Sequence, residues 1–62
     1  MWNYLFEIIS EWSDCCGEQF FIQCNTKKEA EEILGQHFWG EKVKYLGKYT
    51  DEEAEIMGLD TY

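Results

Sequence analysis

The sequence has no arginine and only five lysines against thirteen acids, giving a formal charge of −8. Direct binding to nucleic acid needs cations that displace counterions from phosphates, and this chain lacks them. An anionic membrane would repel it for the same reason. The partners left open are basic surfaces or surfaces with no charge. No apolar run reaches bilayer-spanning length, and no basic start followed by an apolar stretch reads as a secretion signal. The three cysteines are an odd number without framework spacing, whereas small secreted domains usually carry an even set. A reducing cytoplasm is the expected compartment.

Catalytic and cofactor devices are equally scarce. There is no glycine-rich phosphate loop and no nucleophile elbow. Cys15, Cys16, Cys24 and His37 could be assembled into a zinc set. Zinc ligands, however, favour pairs separated by two to four residues, and adjacent cysteines cannot easily both turn inward. A disulfide between Cys15 and Cys16 would be strained. A Cys24–His37 nucleophile pair has no third group or oxyanion device to support it. Glu7 and Glu11 share a strand face, but two exposed acids on a sheet without a cleft are usually solvated. The expectation is a non-enzymatic protein with no cofactor and no metal.

Sixty-two residues make one expected domain, 1–62. A chain this short buries only about 60% of its unfolded surface, so large side chains must fill the core. Four Phe, four Tyr and three Trp do so.

The chain is organised around Thr26–Gly40. Thr26-Lys27-Lys28-Glu29 reads as a capping box, with the threonine hydroxyl accepting from the Glu29 amide and Glu29 reaching back to the Thr26 amide. Ala30, Ile33, Leu34 and Phe38, with His37 on the same stripe, follow one helix face. Gly35 costs roughly 1 kcal/mol relative to Ala, but Phe38 keeps the phase, so the helix is read as continuing to Gly40. His37 is expected at the core edge.

Before this helix, Trp2–Trp12 alternates as a long strand. Trp2, Tyr4, Phe6, Ile8, Ser10 and Trp12 lie on the face assigned to the helix, and Leu5 and Ile9 on the other. Ser13–Gly17 is a turn, and Glu18–Cys24 returns antiparallel, with Phe20, Ile22 and Cys24 on one face and Phe21 on the other. Lys42–Tyr49 is the third strand, with Val43, Tyr45, Gly47 and Tyr49 on one side. The crossover through the helix should be right-handed. Strand three is placed beside strand one, for a sheet order of 2-1-3, with 1-2-3 as the alternative. Thr50-Asp51-Glu52-Glu53 is a second capping box opening a short helix that Gly58 stops, and Asp60–Tyr62 is a tail. The similarity of the two helices reads as the same capping grammar used twice. The expected fold is α+β: a three-stranded antiparallel or mixed sheet (ββαβα) with the main helix on one face and a short helix after the third strand.

Charge is segregated along the chain. Residues 1–24 carry Glu7, Glu11, Asp14 and Glu18 and no base, and residues 50–62 carry Asp51, Glu52, Glu53, Glu55 and Asp60 and no base. All five lysines lie between Lys27 and Lys48. Brought together, the acids would make a field that steers basic partners; kept apart, they serve solubility and a helix cap. The apolar residues Leu5, Ile9, Phe21 and Leu46 pose a second question. Either the short helix covers them with Ala54 and Met57, or they form an exposed interaction surface through which copies of the chain could pair. A monomer is the expected state, with that homodimer or interaction module as the alternative.

The aromatic hairpin Trp2–Cys24, the helix Thr26-Lys-Lys-Glu-Ala-Glu-Glu-Ile-Leu and the acidic run Asp51-Glu-Glu-Ala-Glu give the chain an architecture that resembles small acidic anti-CRISPR proteins. These are phage and mobile-element products that act on type I surveillance complexes. The resemblance spans the whole chain as an architecture. It implies DNA mimicry in the host bacterial cytoplasm: carboxylates would occupy the basic groove of a nucleic-acid-binding protein, such as the large DNA-binding subunit of a Cascade-type complex. Glu52 with Glu55, and Glu7 with Glu11 and Asp14, would stand in for phosphates; Glu18, Asp51 and Glu53 complete the candidate surface.

Overall fold

The computed structural model describes residues 1–62. Alternating aromatic and aliphatic side chains form β1 (Trp2–Ile8) and β2 (Gln19–Cys24), the capped amphipathic stretch forms α1 (Lys27–His37), and β3 (Val43–Tyr49) and α2 (Asp51–Met57) follow. The sheet order is β2-β1-β3, with β1 antiparallel to both neighbours. The fold is therefore α+β with the most apolar strand in the centre. No helix is long and apolar enough to cross a membrane.

Two cores lie on the two faces of the sheet. On the inner face, Tyr4, Phe6 and Ile8 pack with Phe20, Ile22 and Cys24 beneath Ala30 and Leu34 of α1. On the outer face, Leu5 and Phe21 are buried under Ala54 of α2, with Leu46, Tyr49 and Leu59 around them. Full burial of a side chain such as Phe21 contributes about 1.5–3 kcal/mol. Leu5 and Phe21 are thus covered and not available as a pairing surface. Of Leu5, Ile9 and Phe21, the residues through which copies of the chain could pair, Ile9 alone is exposed.

Several boundaries differ from the sequence reading. β1 ends at Ile8 rather than Trp12. The Ile9 amide donates to the Lys42 carbonyl and the Lys42 amide donates to Ser10 Oγ, so the chain leaves the β2 ladder and turns. Ser10 is buried by this pairing, and Trp12 is exposed, outside the core. α1 ends at His37, not Gly40. Phe38 leaves helical geometry with φ −127° but still stacks on Phe20, with ring centroids 4.5 Å apart. Its phase therefore predicted its packing but not its backbone. His37 is exposed rather than at the core edge.

A bulge shifts the β1–β3 register, so that Leu5 faces Gly47 while Phe6 faces Tyr45. Gly47 has φ +156°. The extra residue breaks the alternation of β3: Val43 packs on the inner core, whereas Tyr49 packs on the outer one against Phe21. The expected single face for Val43, Tyr45, Gly47 and Tyr49 is corrected accordingly.

Segment 60–62 is not a loose tail. Thr61 bridges Phe21 in parallel. The Phe21 amide donates to the Asp60 carbonyl, Tyr62 to Phe21 and Gln23 to Tyr62. The Tyr62 ring then sits edge-on to Phe20 and Phe38, tying the outer edge of β2 to the end of α1.

Candidate partner-binding acidic surface

The acids divide into two groups. The first surrounds the β1–β2 connection. Glu7 is half-buried on the outer face of β1 and accepts from Gln19 Nε2 at 3.0 Å; its cross-strand neighbour on the other side is Lys44. Glu11, Asp14 and Glu18 are exposed beyond the strand ends. Glu18 lies close enough to Cys15 to raise its pKa by charge repulsion, helped by partial burial, a hydrogen bond and the nearby charges of Glu41 and Asp14. Glu41 was missed by sequence reasoning. Ser10 bonding to Lys42 brings it to this loop, and its Oε2 is buried without a hydrogen-bond partner. Nothing local in the sequence could signal a contact across some thirty residues.

The second group belongs to α2. Its capping box is complete: the Glu53 amide donates to Thr50 Oγ1 (3.3 Å) and the Thr50 amide to Glu53 Oε1 (3.3 Å). At α1 only half of the expected box forms. The Glu29 amide donates to Thr26 Oγ1, but Glu29 Oε2 accepts from the Asn25 amide instead of Thr26. Asp51 lies at the first position of α2, and its Oδ1 accepts from Asn3 Nδ2 (2.8 Å) and Gln23 Nε2 (3.1 Å). Those two bonds hold its carboxyl below the usual carboxylate range. Glu52 and Glu55 are exposed. Three residues apart on one helix, they place their Cβ atoms about 5–6 Å from each other.

One member of each group lies on the outer face of the sheet, Glu7 at one end of β1 and Asp51 beside Asn3 at the other, while Glu11, Asp14 and Glu18 stay in the connection beyond the strand ends. Four residue steps of strand separate Asn3 from Glu7, about 13 Å at the usual rise. The structure does not merge the acids into one continuous cluster. It does fix three of them, Glu7, Asp51 and Glu53, by side-chain hydrogen bonds.

The lysines do not neutralise this surface by direct pairing. No lysine forms a salt bridge with a carboxylate. Lys27, Lys42 and Lys48 instead lie over the rings of Tyr45, Trp12 and Trp2, at 4.4, 5.6 and 4.3 Å from the centroids. Cation–π contacts of this kind are worth about 0.5–1 kcal/mol at exposed sites.

Cys15 and Cys16 are exposed and Cys24 is buried, all three free. Cys24 Sγ donates to the Thr26 carbonyl at 3.1 Å, and burial raises its pKa. No three His, Cys, Asp or Glu side chains stand where they could hold a metal ion. Comparison with known proteins gives no match: no family model, curated relative or solved structure aligns significantly with this chain.

Proposed function

We propose that the chain is a non-enzymatic acidic inhibitor that docks on a basic, nucleic-acid-binding surface of a host defence complex, in the manner implied by its resemblance to anti-CRISPR proteins. The observation that carries this reading is the un-neutralised charge: thirteen acids against five lysines, no carboxylate in a salt bridge, and three of the lysines, Lys27, Lys42 and Lys48, lying over aromatic rings. Carboxylates already oriented by Asn3, Gln23, Gln19 and Thr50 meet cations without losing much further side-chain freedom.

The mimicry is local rather than duplex-long. The longest dimension of the molecule is 33 Å, a length over which B-DNA carries roughly twenty phosphates. The acid count falls short of that, so short runs of paired carboxylates such as Glu52 and Glu55 would replace individual phosphate contacts.

The test is a gel-shift assay of DNA binding by a purified type I surveillance complex, with and without the protein. Glu53 serves the helix cap, so charge reversal is confined to Glu52→Lys with Glu55→Lys and, separately, Glu11→Lys with Asp14→Lys. The wild type is expected to displace DNA in a salt-sensitive manner, and each double variant to lose most of that effect while keeping native circular dichroism. Inhibition that survives both double variants, or no displacement by the wild type at low salt, overturns the reading.

A further inference from the structure

A groove of about 420 Å³ runs between α2 and the edge formed by β2 and segment 60–62. Its polar lining is Asn3, Gln23, Asp51, Glu55 and Thr61, and its apolar lining is Ala54 and Leu59. Asn3 is only 2% exposed, and its Nδ2 faces two acceptors, the Asp51 carboxylate and the Tyr49 carbonyl. Two acceptors on one side fix the amide orientation: the nitrogen points at them and Oδ1 points away. Oδ1 takes no hydrogen bond from the chain, and Asn3 lines the groove. Gln23 is oriented in the same way, because its Nε2 also donates to Asp51 Oδ1. Asp51 Oδ2 and the Glu55 carboxylate complete a set made almost entirely of acceptors.

An acceptor-rich pocket with two carboxylates fits a planar cation with several donors. A guanidinium presents five N–H groups in a fixed fork, whereas an ammonium presents three from one point. The apolar lining suits the methylene stem that carries the guanidinium. We infer that this groove receives a single arginine side chain of a partner protein, the stem lying on Ala54 and Leu59 and the fork reaching Asp51, Glu55 and the Asn3 carbonyl. The inference rests on the reading of the chain as a ligand of basic surfaces and names the side chain it would anchor.

The test needs no partner. L-argininamide is titrated into the ¹⁵N-labelled protein at constant ionic strength, with lysinamide and sodium chloride as controls. Argininamide is expected to shift the side-chain amide signals of Asn3 and Gln23 and the Thr61 backbone amide. Lysinamide should shift them less, and sodium chloride hardly at all. Glu55→Gln should weaken the argininamide response roughly tenfold, the loss expected for one charge-assisted hydrogen bond. Its unshifted spectrum elsewhere would show that the fold is retained. Equal responses to argininamide and lysinamide, shifts spread over Glu11, Asp14 and Glu18 as strongly as over the groove, or an unchanged response in Glu55→Gln overturn the site. A groove that fails this titration while the charge-reversal variants still lose DNA displacement removes only the arginine site. A groove that passes while the wild type displaces no DNA at low salt removes the inhibitor reading instead.

Discussion

Individual side chains here are set by their immediate neighbours. Asp51 is held ionised by the amides of Asn3 and Gln23. Because its folded pKa is depressed, its contribution to stability is fully present above the unfolded-state value of about 3.9, and is lost as pH falls through the folded value. Urea unfolding of wild type and Asp51→Asn should therefore differ above pH 4 and converge below it. A difference constant across that range would show that the charge is immaterial. Cys15 follows the opposite logic. Glu18 repels its thiolate and raises its pKa, so Glu18→Gln should speed alkylation of Cys15 by iodoacetamide severalfold near neutral pH, as read by mass spectrometry. Cys24, buried against Thr26, should label only on unfolding. Phe21 is fully buried, and Phe21→Ala should cost about 3–5 kcal/mol in chemical denaturation, enough to unfold much of the population of so small a domain.

Among the elements, α2 carries the most consequence for its length. Seven residues are too few to hold a helix in isolation, so its cap and its docking on Leu5 and Phe21 sustain it. Thr50→Ala is expected to cost about 0.5–2 kcal/mol and to raise binding of a hydrophobic dye as the outer core opens; an unchanged melting temperature would show that packing alone suffices. The elements were also where the sequence was most legible. Both threonine caps and the three strands follow from hydroxyl placement and alternation; the 2-1-3 order rests on placing the most apolar strand in the centre, with 1-2-3 left open by the sequence. Three features were not legible, and each depends on a contact distant in sequence. The bulge at Gly47 appears only when β3 meets β1. The end of β1 is decided by Lys42, and the pairing of segment 60–62 by β2. The acidic surface was half legible for the same reason: its composition could be read, but not the hydrogen bonds that aim Asp51 or the fold that brings Glu41 to Cys15.

For the molecule as a whole, a charge of −8 with no salt bridge means that folding works against self-repulsion. Salt screens such repulsion, with a Debye length of about 8 Å at physiological ionic strength. Raising sodium chloride from low to physiological concentration should therefore raise the melting temperature, while weakening capture of any basic partner. A protein stabilised by its own ion pairs would show the reverse trend in melting.

Segment 60–62 also limits how copies of the chain could join. It occupies β2 at Phe21 and Gln23, which leaves β3 as the sheet's unoccupied border. Backbone pairing through β3 would unite two copies into a six-stranded sheet whose remaining borders are both already filled. Growth would stop at that pair, so the arrangement protects a tyrosine- and phenylalanine-rich chain from the endless strand stacking that produces fibres.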